Sequence, residues 1–392
     1  MMKSKFFLQR LTLSVFFLST AVYADDKDPL NFIAGISRQH DNNLFRETTR
    51  EQSDNIITTY AGIRVDKPYS LQRLKLELSV TDYKYQNNGF LDFKAKDYKA
   101  AWLWSITPYL TGTLSVDRKQ QLNDFKDFRS FITQNISTTE NQHFEANLSP
   151  HGTWYLLGGF TRSNQINSQT FNEVSDSTTN SVDAGVKYVY ASGSAMTLMG
   201  HDRNGKYKNR DLDITNLFDT GYDETEVEAK LDWVLSGKSK VNLRLAHVKR
   251  EHDNFSQRDY SGEQGRMDYT WAPTGKLQFI AAASRQLSSF QTNDASYTCN
   301  DTLSLSPVYA VTGKISARAS ISISERSFLG KGIIPSTERV DKEKAASVSI
   351  DWAPYRSVDI GANLQHSIRN SSVSTLFDYT DTSVGLSASL YF

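Results

Sequence analysis

The sequence predicts an all-β transmembrane barrel, an antiparallel up-and-down sheet of about 18 strands with short periplasmic turns and long extracellular loops. Three observations point there. Apolar and polar side chains alternate with period two; tight turns recur about every 40 residues with longer polar stretches between them; and the chain opens with an export signal.

The alternation is plainest between Val311 and Ile323. Val311, Gly313, Ile315, Ala317, Ala319, Ile321 and Ile323 share one parity; Thr312, Lys314, Ser316, Arg318, Ser320 and Ser322 share the other. A strand sorts such residues onto two faces, whereas a helix scatters them around its surface. Leu74, Leu76, Leu78 and Val80 alternate in the same way with Arg73, Lys75, Glu77 and Ser79, and the terminal residues repeat the pattern. Ile315 is therefore expected to face lipid, deep enough that an arginine there costs about 2–4 kcal/mol, and Ser316 the lumen.

Tight turns are marked near Pro68, Pro108, Pro150, Gly193, Gly237, Pro273, Pro307 and Pro354, since proline lacks a ladder donor and suits turns and strand starts. Polar, less periodic stretches fall near 42–54, 87–91, 123–135, 165–178, 204–222, 252–261, 288–297, 325–343 and 369–378. Nine long loops and eight short turns join eighteen strands and put both ends of the barrel on the periplasmic side. A soluble propeller, also built on a repeat of about 40 residues, is the competing architecture. Its inner strands would be apolar on both faces, and here one face stays polar.

Residues 1–24 read as a signal peptide: Lys3, Lys5 and Arg10 precede an apolar stretch from Leu11 to Leu18, and Val22-Tyr23-Ala24 ends small. Residues 25–392 are then the barrel, placed in a bacterial outer membrane with membrane lipid around it. The mean hydropathy is −0.49, and no apolar run long enough for a spanning helix follows the first segment. The 44 basic and 44 acidic residues cancel, which argues against a nucleic-acid partner. Cys299 is the single cysteine, so the fold holds without an internal disulfide.

Trp102, Trp104, Tyr109, Trp154, Tyr155, Trp233, Trp271, Trp352 and Tyr355 lie close to the short turns, as an interfacial girdle requires. Charge is costly on the lipid side, so Arg73, Lys75, Glu77, Asp117, Lys119, Glu224, Glu226, Glu228, Lys230, Arg244, Lys314, Arg318 and Asp359 are expected to line the lumen. Both signs are interspersed among them. Phe125, Phe128, Phe131, Phe218, Phe255 and Phe328 belong to the loops, where they either constrict the bore or offer stacking faces for sugars, or else serve the external girdle or the loop cores.

No catalytic residue, cofactor site or metal site is expected. The seven histidines form no HExxH, one cysteine excludes CxxC, and neither GxSxG nor a phosphate-cradling glycine loop occurs. His247 and His252 near a loop bring to mind lipid hydrolases that work on a barrel's rim, but ordinary surface or lumen histidines are commoner. Asp41, Asn42 and Asn43 in His40–Arg46 offer oxygen ligands for a hard cation, although such runs more often form turns.

The stretch DPLNFIAGISRQHDNNLFR, ending at Arg46, and the block TPYLTGTLSVDRKQQLNDFKDFR, Thr107–Arg129, resemble the EpsL-type outer-membrane barrels associated with exosortase-linked exopolysaccharide biosynthesis. The closing Leu390-Tyr391-Phe392 resembles the terminal-strand signal of outer-membrane barrels. The resemblance implies polysaccharide export or assembly, no catalytic residues, and separate periplasmic export proteins as partners. Two alternatives stay open: a general or sugar-uptake porin, and a plugged structural or adhesive barrel. Segment 325–343 carries four basic and four acidic residues and 205–222 three of each, so neither supplies a single-sign selectivity ring.

Overall fold

The computed structural model describes residues 29–127, 132–169, 176–292, 295–330 and 338–392. The predicted signal peptide lies outside them. The first six strands are β1 (Leu30–Asp41), β2 (Asp54–Tyr69), β3 (Gln72–Tyr85), β4 (Phe93–Thr107), β5 (Leu110–Leu122) and β6 (Ile136–Leu148). Then come β7 (Trp154–Asn167), β8 (Asp176–Val189), β9 (Ala195–Lys208), β10 (Gly221–Ser236), β11 (Ser239–Glu251) and β12 (Tyr260–Trp271). The last six are β13 (Leu277–Ser289), β14 (Tyr297–Ala310), β15 (Ile315–Leu329), β16 (Val340–Tyr355), β17 (Val358–Ser371) and β18 (Tyr379–Tyr391).

Lipid offers no hydrogen bonds, so a sheet in a membrane must close on itself. It does: each strand pairs antiparallel with its chain neighbours in one 18-stranded sheet, and β1 also pairs with β18. At the seam Phe32 and Phe392 exchange both backbone hydrogen bonds at 2.9 Å, so the terminal Phe392 completes the closure.

Opposed residues share a face, so register carries facing around the wall. In β10 Glu224, Glu226 and Glu228 are buried while Val227 is 69% exposed, which sets glutamates inward and valine outward. The outward parity elsewhere carries Leu74, Leu78, Val80, Leu303, Ile321, Ile323, Val348, Leu364 and Leu386, all exposed. An exposed apolar belt this continuous marks a membrane-facing surface. The protein is an outer-membrane β-barrel.

Strand lengths run from 12 residues in β1 to 16 in β10, more than the roughly 9–11 a tilted strand needs to cross the hydrocarbon. The excess stands on the extracellular side, where both faces meet polar surroundings and the alternation fades. The strands therefore continue into stretches that read as loop: β9 runs on to Lys208 and β16 starts at Val340. The β12–β13 register is the shortest, confined to Gly265–Trp271 against Phe279–Arg285.

Four expectations are corrected. Pro307 lies inside β14 opposite Phe279, not in a turn; the turn there is formed by residues 311–314. Position 307 tolerates proline because the β14–β15 pairing is interrupted there, between Leu305–Ile321 and Val308–Arg318, with the register unchanged. Val311 and Gly313 accordingly belong to the turn, and β15 begins at Ile315. Ile315 does face outward, but opposite Trp352 at the strand's start, so it sits at the interface and not at mid-membrane. Tyr155 pairs with Lys187 on the inward parity, its ring 5.9 Å from the ammonium, and leaves the outer girdle.

Candidate functional site

Twelve of the thirteen predicted lumen residues stand on the inward parity. On β3, Arg73, Lys75 and Glu77 lie opposite Leu103, Ala101 and Lys99, and Lys99 in turn opposes Asp117. Lys119 faces Thr139, Arg318 faces Ser349 and Asp359 faces Ser389. Lys314 is the exception. It belongs to the periplasmic turn, where its Nζ donates to the Pro354 carbonyl at 2.6 Å; parity alone could not see that the strand starts one residue later.

Glu77 points inward yet keeps a side-chain exposure of 53%, so water reaches the wall at its level, while Arg73, beside the β2–β3 turn, is 50% exposed at the periplasmic mouth. Arg64 meets Glu77 at 3.1 Å and Arg73 meets Asp66 at 2.6 Å across the β2–β3 hairpin.

Glu224, Glu226, Glu228 and Lys230 alternate down β10, flanked by β9 and β11. Arg203 Nη1 reaches Glu224 at 2.7 Å and Glu226 at 2.9 Å, and Arg250 Nη2 reaches Glu224 at 2.6 Å. Arg244 bridges Glu226 and Glu228, and Lys230 Nζ lies 2.6 Å from Glu228. Asp183 accepts from Ser181 and pairs with His201 Nδ1 at 2.5 Å. Ligand atoms of His201, Glu226 and Glu228 approach within 4.8 Å of one another. Each oxygen of the two glutamates already has a fixed cation, however. Four carboxylates here face four cations, so the arrangement is a charge-compensated wall rather than a metal centre.

At the extracellular end the loops fold into two clusters. In the first, Leu44, Phe45, Tyr85, Leu91 and Phe125 from three successive hairpins pack together, with the Phe45 and Phe125 rings 4.9 Å apart. The His40–Arg46 motif locks this corner to β18. Arg46 reaches Asp41 at 3.0 Å and Asp381 at 2.9 Å, and Asn43 donates to the Glu47 and Thr380 carbonyls. Its oxygens are thus used in turn and wall contacts.

The loop after β5 then crosses to the far wall. Asp127 meets Arg326 of β15 at 2.7 Å, Arg369 of β17 at 3.3 Å and Arg339 at 3.8 Å. Burial alone would raise the Asp127 carboxyl; the three arginines outweigh it and hold it below the usual carboxylate range.

In the second cluster Arg258 is fully buried and donates to the carbonyls of Asn216, Leu217 and Ala295 at 2.8, 3.2 and 2.6 Å. Asp219 accepts the backbone N–H groups of Thr220, Asn254 and Phe255. His252 is held by Gln291 and Asp259, and burial pushes its pKa down. Phe125, Phe218 and Phe255 are buried in these loop cores; Phe328 is also buried but lies on β15 and not in a loop, and Phe128 and Phe131 lie outside the described residues.

One string of polar groups escapes sequence reasoning because its members come from two strands. On the outer wall Ser261 Oγ lies 3.0 Å from His247 Nε2, and His247 Nδ1 lies 2.8 Å from Glu263. The atom order is that of a hydrolase triad, but the Glu263 side chain is 75% exposed. A triad acid works from a buried position where water does not compete for the imidazole, so this is surface hydrogen bonding.

The closed sheet, apolar belt and solvated polar wall define a porin-like outer-membrane barrel. Residues 259–392 match the family model described as "Putative beta-barrel porin 2". No curated protein matches the chain. Among solved structures, the chain is similar to Pseudomonas aeruginosa OpdK with vanillate, at 10% identity and a TM-score of 0.54 over 93% of this chain and 99% of that one. It is similar also to OccK9 (OpdG) of the same organism, at 10% identity and a TM-score of 0.55 over 93% and 98%. At such identity the likeness is one of fold.

Proposed function

We propose that this barrel is a polar channel for export of an exopolysaccharide, working with separate periplasmic proteins and doing no chemistry itself. The observation that carries the channel is the solvated wall around Arg64, Lys75 and Glu77, where charges of both signs are interspersed. A hydroxyl-rich polymer meets donors and acceptors there. The polymer assignment rests on the resemblance of the stretch ending at Arg46 and of Thr107–Arg129 to the exopolysaccharide-associated barrels. Uptake of small solutes is the second reading, favoured by the fold shared with OpdK, whose structure carries vanillate. The inward loops support the third, a plugged structural barrel.

Deleting the gene is expected to abolish surface polysaccharide while growth on small sugars continues. Normal polymer secretion with impaired growth on one solute would replace export by uptake.

A further inference from the structure

The contact between the β5–β6 loop and the far wall has a feature that a simple fastening does not need. Counted through β1 and β18, β15 to β17 stand six to eight strands from β5, so Asp127 reaches them across the bore. What it meets is a site built by the wall. Arg339 and Arg369 side chains are 7% and 4% exposed, and Arg326 completes the set. Aromatic rings hold the guanidinium planes: Arg339 lies 3.5 Å from the Phe377 ring centre and 4.1 Å from that of Phe328, and Arg326 lies 4.8 Å from Phe328.

Charge makes an anion obligatory here. Asp341 pairs with Arg339 at 2.6 Å and with Arg369 at 3.4 Å, while Glu343 is engaged by Lys126 at 3.4 Å. Asp127 supplies the remaining carboxylate to the three arginines. If it leaves, buried guanidinium charge stays uncompensated, which is costly unless another anion arrives. Arginine forks pair with carboxylates bidentately, and the ring faces beside them suit the C–H face of a sugar.

We propose that Arg326, Arg339 and Arg369 form a carboxylate site for the uronic-acid units of an acidic glycan, occupied in the resting protein by Asp127 as an internal stand-in. This rests on the export reading and narrows its substrate class to polymers bearing carboxylates. Exchange of Asp127 for a uronate replaces one carboxylate by another and keeps the charge balance of the three arginines as it was, so passing units bind and release one after another.

The test is equilibrium binding of trigalacturonate to the full-length barrel in detergent, with maltotriose and inorganic phosphate as controls. If Asp127 fills the site nine-tenths of the time or more, Asp127→Asn should tighten trigalacturonate binding by about tenfold or more, since apparent affinity scales with the open fraction. Arg326→Gln should abolish binding, and maltotriose should not bind. Each variant is compared by its heat-modifiable band on gels, and if Asp127→Asn fails to assemble, wild type against Arg326→Gln decides. Equal binding by Arg326→Gln, or by maltotriose, overturns the site; phosphate binding as tight as trigalacturonate overturns the glycan assignment. Export is judged separately by the deletion phenotype: uronate binding with undiminished polymer secretion leaves the site standing and removes the export reading.

Discussion

Ile321→Arg should lose about 2–4 kcal/mol of barrel stability, while Ser322→Arg, one residue along, should lose little. Ile321 is 58% exposed on the lipid side, within an apolar run that spans Ile315 to Ile323 and is followed outward by Glu325, paired with Lys342 at 3.2 Å. An arginine there lies too deep to reach either interface easily. Ser322 opposes Ser304 and Ala345 on the lumen side, where water solvates the guanidinium. Ile315→Arg should cost far less than Ile321→Arg, because the Trp352 level is interfacial and the penalty there falls to about 0–1 kcal/mol. Folding titrations in lipid vesicles measure all three. Equal losses from Ile321→Arg and Ser322→Arg would reverse the facing of β15.

Arg258→Ala should dismantle the second loop cluster and leave the barrel standing. The side chain satisfies three carbonyls from two other loops, and each buried acceptor left bare costs about 1–3 kcal/mol. Arg258 is fully buried, so its removal opens a gap inside a packed loop core. The transmembrane ladder has its own hydrogen bonds and owes nothing to this residue. Limited proteolysis should therefore cut within 209–220 and 252–259 in the variant but not in the native protein, with the heat-modifiable band retained. Unchanged protease resistance would show that the cluster holds without Arg258.

The sequence made the barrel legible because lipid forces a period that no other environment imposes for so long. Strand count, nine long loops and the facing of Ile321 and Ser322 all follow from parity. Parity fails where the environment stops being two-faced. Above the membrane Asp202 and Asn204 face outward as polar residues, so β9 reads as a loop although its backbone stays paired. At the other end parity continued through residues 311–314 and placed Lys314 on a strand that had not begun.

The candidate site was half legible. Inward charge is visible one strand at a time; the joining of Asp127 to Arg326, Arg339 and Arg369 is not, because those residues are about two hundred apart in sequence or more. A local signal also recurs in the loops. Asp92, Asp259 and Asp378 each follow a single 3-10 turn, precede an aromatic residue, and accept the backbone N–H of Tyr85, His252 and Ser371 respectively. Leu91-Asp92-Phe93, Arg258-Asp259-Tyr260 and Phe377-Asp378-Tyr379 are thus one recurring loop closure, which period-two alternation does not reveal.

Planar-bilayer recording on the purified full-length protein tests the solvated, charge-balanced bore most directly. The structure predicts a steady current with little preference between cations and anions, interrupted transiently by long oligosaccharides whose hydroxyls bond to the polar wall while they displace ions. A barrel that inserts but passes no current, or one that selects strongly for a single sign of charge, would contradict it.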